Sequence, residues 1–198
     1  MKRCGIHFVM VVFAFPFTLF AQGESQNLLK NGDFEKFTGD NPVGWETTNV
    51  PGLLTVVSAS KVFKGGARAV RCEVKDCFGS RIAGMVCQKN VEITGEEVKL
   101  SGHYVLHSEG NDKALLLICF VSSEGSTLET VEEYLTLNKP EFSSFSKVAK
   151  IPNGAERAHI RLTLVADKQS GKLHEGSYVI FDDVKLVALL PRGKSFIP

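Results

Sequence analysis

Two histidines are the first side chains whose spacing could support chemistry. His103 and His107 stand four positions apart in a segment with the alternating pattern of a β-strand, so their side chains share one face. Two histidines on one face could bind a transition metal if a third ligand joined them. The sequence places no third ligand beside them, and a solvated sheet face is the favoured interpretation.

Acidic pairs are the second candidate for chemistry, because glycoside hydrolases need two carboxylates that flank the scissile bond. Glu132-Glu133 and Asp182-Asp183 are adjacent pairs within strand-like segments, and a strand directs adjacent side chains to opposite faces. The sequence also has no Gly-x-Ser-x-Gly, no His-Glu-x-x-His and no phosphate-binding glycine loop. Enzyme activity is therefore uncertain, and a non-catalytic role is favoured.

The elements that carry these residues have the pattern of an all-β protein. Apolar and polar residues alternate with period two over short segments, and Gly, Asn, Asp, Pro and Ser separate them. About ten antiparallel strands in two sheets are predicted, which is the pattern of a sandwich or barrel. The predicted strands cover residues 27–37, 53–58, 69–74, 82–91, 98–107, 114–121, 128–137, 145–151, 157–166 and 177–190.

Composition narrows the possible partners. The 198 residues are 43% hydrophobic and 23% charged, and 23 basic against 22 acidic residues give a formal net charge of +1. Such a balance does not favour a nucleic-acid partner or an anionic membrane surface. The ordinary composition and the absence of a linker favour one globular domain.

The first residues resemble a signal peptide. Lys2 and Arg3 precede an uncharged apolar run over residues 6–20, and Ala21-Gln22-Gly23 supplies small residues suited to cleavage. The run is shorter than the roughly 20 residues of a membrane-spanning helix. We therefore predict a leader over 1–23, a domain over 24–190, a tail over 191–198, no transmembrane anchor, and a secreted or periplasmic product.

Four cysteines remain after the predicted leader: Cys72, Cys77, Cys87 and Cys119. An oxidising compartment favours disulfides, and four cysteines allow three pairings. The alternative is that some are buried free thiols on strands, since a domain of this size does not need a covalent staple. The sequence leaves both possibilities open.

An ordered set of short motifs resembles the CenC-type carbohydrate-binding modules of families four, nine and twenty-two, which belong to the galactose-binding-domain-like jelly rolls. The chain opens on Asn-Leu-Leu-Lys-Asn-Gly-Asp-Phe-Glu at 27–35 and closes on Tyr-Val-Ile-Phe-Asp-Asp-Val-Lys-Leu at 178–186. Between them stand Pro-Val-Gly-Trp (42–45), Lys-Gly-Gly-Ala-Arg-Ala-Val (64–70), Gln88, Lys-Leu-Ser-Gly-His-Tyr-Val (99–105) and Ile-Pro-Asn-Gly-Ala (151–155). The resemblance implies a jelly-roll β-sandwich whose first and last strands lie together.

The same resemblance implies a structural calcium ion where those two strands meet. Position by position, it makes Glu35 and Asp182 the side-chain ligands, with Asp183 as a possible substitute, and Lys64 and Gly66 ligands through their carbonyls. Calcium takes six to eight oxygen ligands, which clustered carboxylates and carbonyls can supply. The alternative is that these carboxylates only accept hydrogen bonds from backbone N–H groups.

Sugar-binding members of the family use exposed aromatic residues on the concave sheet face or at the loop tips. Trp45 is the only tryptophan, and both the resemblance and the usual burial of tryptophan favour a core position for it. Phe145 is also expected to pack inside. Candidates for contact with a sugar are the polar positions Tyr134, Arg81, Gln88, Glu133 and Arg161, each of which could equally be an ordinary solvated side chain.

Three functions follow as hypotheses. The first is an exported, non-catalytic, lectin-like protein that binds a poly- or oligosaccharide, either alone or in support of a secreted glycan-degrading enzyme. The second is a structural or protein-interaction domain on the same scaffold, because exposed aromatic residues are few. The third is a small glycoside hydrolase or lyase.

Overall fold

The structure is a computed structural model that describes residues 26–189. These residues form thirteen β-strands and no α-helix. The predicted leader (1–23), the ends of the predicted domain (24, 25 and 190) and the predicted tail (191–198) lie outside the described residues. The strands are β1 (Phe37–Thr38), β2 (Asn41–Pro42), β3 (Glu46–Thr47), β4 (Val57–Ser60), β5 (Ala69–Cys77), β6 (Ser80–Ala83), β7 (Met85–Glu92), β8 (Glu97–His107), β9 (Lys113–Val121), β10 (Thr127–Leu135), β11 (Lys139–Lys150), β12 (Arg157–Val165) and β13 (Tyr178–Leu189).

The strands form two main sheets. The first has five strands in the order β10-β9-β12-β7-β3. The second runs β11-β8-β13-β5-β4, with β6 paired to β5, and all these pairs are antiparallel. A short ribbon joins β1 to β2. This arrangement confirms the predicted all-β sandwich. No helix in the described part of the chain is long and apolar enough to cross a membrane.

One core lies between the sheets, and alternate apolar side chains of their strands fill it. In the five-stranded sheet, Leu116 and Ile118 of β9 pair with Leu162 and Ile160 of β12, and all four are buried. Complete burial of such a side chain contributes roughly 1.5–3 kcal/mol. The core therefore fixes which side of each strand faces outward, and thereby which residues are available to a ligand.

The opening segment differs from its prediction. Residues 27–37 were expected to form the first strand, but strand structure begins only at Phe37. Asn31 and Phe34 both have φ of 49°, a left-handed conformation that interrupts an extended strand. Alternating burial cannot reveal this, because single residues with positive φ leave no mark on hydrophobic periodicity.

The opening segment nevertheless lies along the last strand, as expected. The N–H of Leu28 donates to the carbonyl of Leu186 at 2.8 Å, and the N–H of Val184 donates to the carbonyl of Gly32 at 2.8 Å. A β-carbon on residue 32 would lie 2.1 Å from the carbonyl oxygen of Val184. Only glycine allows this approach, so Gly32 fixes the contact between the two ends of the domain.

Two other predicted elements have different bounds. The predicted strand over 82–91 is divided at Gly84, where a β-carbon would lie 2.2 Å from the carbonyl oxygen of Val56. The predicted strand over 53–58 begins only at Val57, after a turn that the Val50–Leu54 bridge closes. Close backbone approach at Gly84 therefore sets the first boundary, and the bridged turn sets the second.

Trp45 packs in the core, as predicted. Its ring centroid lies 5.2 Å from that of Phe34, and its Nε1 donates to the carbonyl of Lys30 at 3.0 Å. Phe145 is also buried, in edge contact with Phe181 at 6.4 Å. Neither aromatic ring is available to a ligand.

The four cysteines of the described residues are free thiols. Cys72 lies in the core on the six-stranded sheet, whereas Cys87 belongs to β7 of the five-stranded sheet and faces away from the core. The two thiols are therefore separated, because they belong to different sheets and only the Cys72 side chain points into the core. The structure thus favours the free-thiol alternative over a disulfide.

Candidate functional site

The outward side of the five-stranded sheet brings polar and apolar side chains together, and we call it the open face. Strand register places Tyr134 of β10 opposite Leu115 of β9, and Leu115 opposite Thr163 of β12. The next rung contains Glu132, Leu117, Arg161 and Cys87. Adjacent strands are roughly 4.8 Å apart, so Tyr134 and Arg161 flank the leucines at a lateral separation of about 10 Å.

The floor of the open face is apolar and slightly accessible. Leu115 and Leu117 are 8% and 9% exposed, and neither belongs to the main core cluster. The segment 114–121 is apolar on both faces, which predicts a central strand covered on each side, and the low exposure of both leucines agrees with that prediction. The alternation that marks an open face is absent there, so only the register reveals it.

Tyr134 is the aromatic side chain of the open face. It is 41% exposed, and its hydroxyl donates to Oε2 of Glu132 at 2.5 Å. This hydrogen bond raises the pKa of Tyr134 above its usual value, because it favours the protonated phenol. The ring is therefore held by its polar end while part of its surface remains in water. Such a ring can stack on the apolar face of a sugar.

Arg161 supplies the positive charge near the middle of the open face. Its strand neighbours are Leu117 and Cys87, and the side chain is exposed. Burial raises the pKa of the Cys87 thiol, while the charge of Arg161 acts in the opposite direction. Arg161 donors and the Glu132 carboxylate are thus placed on opposite sides of Leu117. They can bind neighbouring hydroxyl groups of one ligand.

Two of the five sugar-contact candidates lie elsewhere, with structural partners. Gln88 is buried, accepting from the N–H of Lys30 at 2.8 Å and donating to the carbonyl of Lys30 at 2.9 Å. Glu133 lies on the other side of β10 from Tyr134 and accepts from Nζ of Lys147 at 2.8 Å. Gln88 therefore anchors the opening segment, and Glu133 links the edge strands of the two sheets. The burial of Gln88 corrects the expectation that it contributes to a sugar surface, and Glu133 lies away from the open face.

Arg81 lines a cavity between loops at one end of the sandwich. We call it the loop-end cavity. Arg81 pairs with Asp76 on the same hairpin and with Glu175 at 3.5 Å. Of the five candidates, only Tyr134 and Arg161 share the open face.

The remaining tyrosines do not offer a stacking surface. Tyr104 is buried beside Phe145. The ring of Tyr178 lies between His107 of β8, at 5.0 Å between centroids, and Arg71 of β5, whose guanidinium carbon is 3.6 Å from the ring centroid. Because β8 and β5 flank β13 on opposite sides, both faces of Tyr178 are covered.

The two histidines share one face, as predicted. His103 is paired with Asp182 and His107 with Tyr178 in the ladder between β8 and β13. His103 Nδ1 lies 3.9 Å from a carboxylate oxygen of Asp183. Within residues 26–189, no group of three or more His, Cys, Asp or Glu is arranged to hold a metal ion.

The five residues expected at the calcium site do converge, at the turn before β5. Asp182 Oδ2 accepts from the backbone N–H of Lys64 at 2.6 Å and of Gly65 at 3.1 Å. Glu35 Oε1 accepts from the N–H of Ala67 at 2.8 Å and of Arg68 at 3.1 Å. We call Glu35, Asp182 and the turn 64–68 the clasp, because they fasten the opening segment and β13 to one loop.

A β-bulge corrects the expectation for the second acidic pair. The register between β13 and β8 shifts after Asp182, and Asp183 has φ of 49°. A β-carbon on Gly65 would lie 3.2 Å from Oδ2 of Asp183, so both carboxylates face the same turn and not opposite faces. For Glu132 and Glu133 the expectation of opposite faces is confirmed.

No protein-family model matches the chain, and no curated protein does. Solved structures do resemble it. The CBM22-1 xylan-binding domain of Xyn10C from Paenibacillus barcinonensis matches with a TM-score of 0.54 and 13% identity, over 84% of this chain and 97% of that domain. A family 16 carbohydrate-binding module matches with a TM-score of 0.56 and 16% identity, over 81% of this chain and 99% of that module.

A tailspike protein of bacteriophage CBA120 gives a further match. Its enzymatically active domain has a TM-score of 0.60 and 17% identity to this chain, over 82% of this chain. The chain spans only 21% of that phage protein's length, so one part of it has this fold. Identities this low establish the fold and not the ligand. The chain thus has the β-sandwich fold of carbohydrate-binding modules, which confirms the fold that the ordered motifs predicted.

Proposed function

We propose that the protein is a non-catalytic carbohydrate-binding protein that holds a poly- or oligosaccharide on the open face. The observation that carries this proposal is the half-exposed ring of Tyr134, anchored through its hydroxyl to Glu132 beside the leucine floor. An apolar surface with a few fixed donors and acceptors suits the two kinds of surface on a sugar ring. The fold shared with carbohydrate-binding modules supports the same ligand class.

Affinity electrophoresis tests this function directly. Native gels that contain soluble xylan, mixed-linkage β-glucan, mannan or alginate would be run with the wild type and with Tyr134→Ala and Arg161→Ala. We expect retardation by at least one polysaccharide, and a loss of about tenfold or more in affinity for each variant, since such a loss corresponds to only about 1.4 kcal/mol. Glu133→Gln is the matched control, because Glu133 is on the same strand but the opposite side.

The proposal fails if no polysaccharide retards the wild type, or if both variants bind as tightly as Glu133→Gln. Stable capture of another protein, without retardation by any glycan, would instead support the protein-interaction alternative.

We also propose that the clasp binds a structural calcium ion. The support is that Glu35, Asp182 and Asp183 all face one turn, with Glu35 Oε2 and the Asp183 carboxylate outside the described hydrogen bonds. Within residues 26–189 the three carboxylates are not arranged as a ready metal site, so binding would require them to move together. A bound ion would stabilise the fold by mass action. Thermal unfolding with EDTA and with added CaCl2 is the test. A lower melting temperature in EDTA, restored by calcium but not by magnesium, is expected; an unchanged melting temperature rejects the ion.

Export and a secreted glycan-degrading enzyme as partner complete the proposed function. The apolar run with its basic start and small-residue end supports export. Expression with the native leader, followed by sequencing of the first residues of the product, tests it. A product that retains residue 1 inside the cell contradicts export.

A further inference from the structure

The sequence contains two Asn-Gly dipeptides, Asn31-Gly32 and Asn153-Gly154. An asparagine that precedes glycine can cyclise, because the glycine nitrogen can reach Cγ of the asparagine side chain and no β-carbon on the glycine hinders the approach. The two dipeptides are identical in type, so any difference in their reactivity must come from the fold around them.

The Asn31 side chain is held through both of its polar atoms. Its Nδ2 donates to the carbonyl of Lys36 at 2.9 Å and to the carbonyl of Val43 at 3.0 Å, and its Oδ1 accepts from the N–H of Lys36 at 3.0 Å. Both amide hydrogens and the amide oxygen are therefore engaged. Cyclisation would require the side chain to turn toward the next peptide nitrogen and to break these three hydrogen bonds.

The backbone that follows Asn31 is fixed as well. The carbonyl of Gly32 accepts from the N–H of Val184 at 2.8 Å, and the carbonyl oxygen of Val184 occupies the space beside the Gly32 α-carbon. The peptide between Asn31 and Gly32 therefore cannot rotate without separating the opening segment from β13. The fold protects this dipeptide from cyclisation.

Asn153-Gly154 has none of these restraints. Both residues are exposed, and within residues 26–189 the Asn153 side chain makes no hydrogen bond. The heavy atom nearest to the position of a β-carbon on Gly154 is Cδ1 of Leu128, at 3.9 Å, which is an ordinary contact distance. The Asn153 side chain can therefore change its rotamer in solvent without breaking a contact of the fold.

A β-turn presents this second dipeptide to solvent. The N–H of Ala155 donates to the carbonyl of Pro152 at 3.1 Å, so Asn153 and Gly154 are the two central residues of the turn. Gly154 has φ of 85°, as the second central residue of a type II turn requires. The hydrogen bond of the turn uses neither the nitrogen of Gly154 nor the side-chain amide of Asn153. The two groups that would react with each other are thus both available.

We propose that Asn153-Gly154 is a site of spontaneous modification, at which Asn153 deamidates through a cyclic succinimide. The backbone nitrogen of Gly154 attacks Cγ of Asn153, so that a new N–C bond forms and the Cγ–Nδ2 bond breaks. The proton of the attacking nitrogen leaves with Nδ2 as part of ammonia. Water then opens the succinimide at either of its two carbonyls, which yields aspartate or isoaspartate. The site shares no residue with the open face or the clasp.

Isoaspartate changes the turn more than aspartate does. Its main chain runs through the side-chain carbon, so the backbone between residues 153 and 154 gains one methylene. The turn joins β11 of the six-stranded sheet to β12 of the five-stranded sheet. Directly after the turn, the N–H of Glu156 donates to the carbonyl of Val121 at 3.1 Å and holds the chain in place. The added length therefore acts on a short connection and disturbs the hydrogen bond between Ala155 and Pro152.

Peptide mapping of aged protein tests the site. Wild type and Asn153→Gln are incubated in mildly alkaline buffer, native and in urea, and then digested with trypsin, which releases residues 31–36 and 151–157 as separate peptides. In the native wild type we expect peptide 151–157 to convert at least about tenfold faster than peptide 31–36, because access to near-attack geometry sets the rate. In urea the two peptides should convert at similar rates. Asn153→Gln, which must form a larger ring, should keep peptide 151–157 unmodified.

Each contrary outcome has a definite meaning. If peptide 151–157 stays unmodified in the native protein while it converts in urea, the site is wrong. Equal conversion of both peptides in the native protein would overturn the protection of Asn31 by its hydrogen bonds. Aspartate without isoaspartate would exclude the succinimide, since direct hydrolysis of the amide gives aspartate alone. Aged wild type should also unfold at a lower urea concentration than aged Asn153→Gln, and equal midpoints would contradict the effect on the turn.

Discussion

Asp182 and Lys64 lie 118 positions apart in the chain, yet the Asp182 carboxylate accepts the Lys64 backbone N–H at 2.6 Å. The same oxygen accepts the N–H of Gly65, and the other oxygen accepts that of Asp183. Each buried N–H that is left without an acceptor costs roughly 1–3 kcal/mol. The carboxylate thus stabilises the turn 64–68 and β13 together, whether or not a metal ion is also present.

The first prediction concerns the pH dependence of the clasp. Burial raises the pKa of Asp182 above its ordinary value of 3.8, against the lowering effect of the N–H groups around it. A carboxyl group whose pKa is higher in the folded protein stabilises the fold below 3.8, and that contribution is lost as pH rises through the folded pKa. In EDTA, wild type should therefore lose stability relative to Asp182→Asn as pH rises from about 3.5 to 6.5.

Urea unfolding at each pH measures this difference. Asp182→Asn retains one acceptor oxygen but cannot ionise, so it isolates the charge. Saturating calcium should reverse the sign, because a cation favours the ionised carboxylate. Identical pH profiles for the two proteins in EDTA would contradict the effect of burial on Asp182.

The second prediction concerns the glycine turn of the clasp. Gly66 has φ of 68°, and a β-carbon there would lie 2.0 Å from Oε1 of Glu35. Gly39 has a similar φ of 58° but no heavy atom within 4 Å of the same position. Both alanine variants incur the left-handed strain of roughly 1–2 kcal/mol. Only Gly66→Ala also displaces Glu35 from its two N–H donors.

We therefore expect Gly66→Ala to lower the free energy of unfolding by about 1–3 kcal/mol more than Gly39→Ala does. Urea unfolding of the two variants measures the difference. Equal losses would show that the contact between Glu35 and the turn does not contribute to stability.

The third prediction separates stability from binding. Both amide atoms of Gln88 are bonded to the backbone of Lys30, so Gln88→Ala should cost about 1–3 kcal/mol of stability and leave polysaccharide affinity unchanged. Arg161 is exposed on the open face, so Arg161→Ala should do the reverse. Unfolding curves and affinity gels on the same preparations test the pair. A Gln88→Ala protein with normal stability and lost affinity would return Gln88 to the ligand surface.

The sequence predicted the scaffold because repeated alternation and ordered turn motifs are local signals. Motifs at the two ends of the domain also indicated that Glu35 and Asp182 lie near one turn, whereas their role as metal ligands stays a prediction. The sequence could not show that Leu117 lies on the open face or that Asp183 faces the same turn as Asp182. The first depends on which of two apolar faces the core covers, and the second on a single bulge.

The last prediction concerns the thiols, whose redox state the sequence left open. Burial raises the pKa of Cys72 to about 12, so at neutral pH almost none of it is the reactive thiolate. Burial raises the pKa of Cys87 too, whereas Cys77 and Cys119 are partly exposed. In the native protein, iodoacetamide should therefore modify Cys77 and Cys119 and spare Cys72 and Cys87.

After unfolding without a reductant, all four should react, because each is a free thiol. Peptide mapping by mass spectrometry compares the two conditions, and Cys72→Ala should leave the native labelling pattern unchanged. A disulfide-linked peptide from protein purified without reductant would contradict the four free thiols. A link between Cys72 and Cys87 would also require their strands to move, because the two residues lie on different sheets.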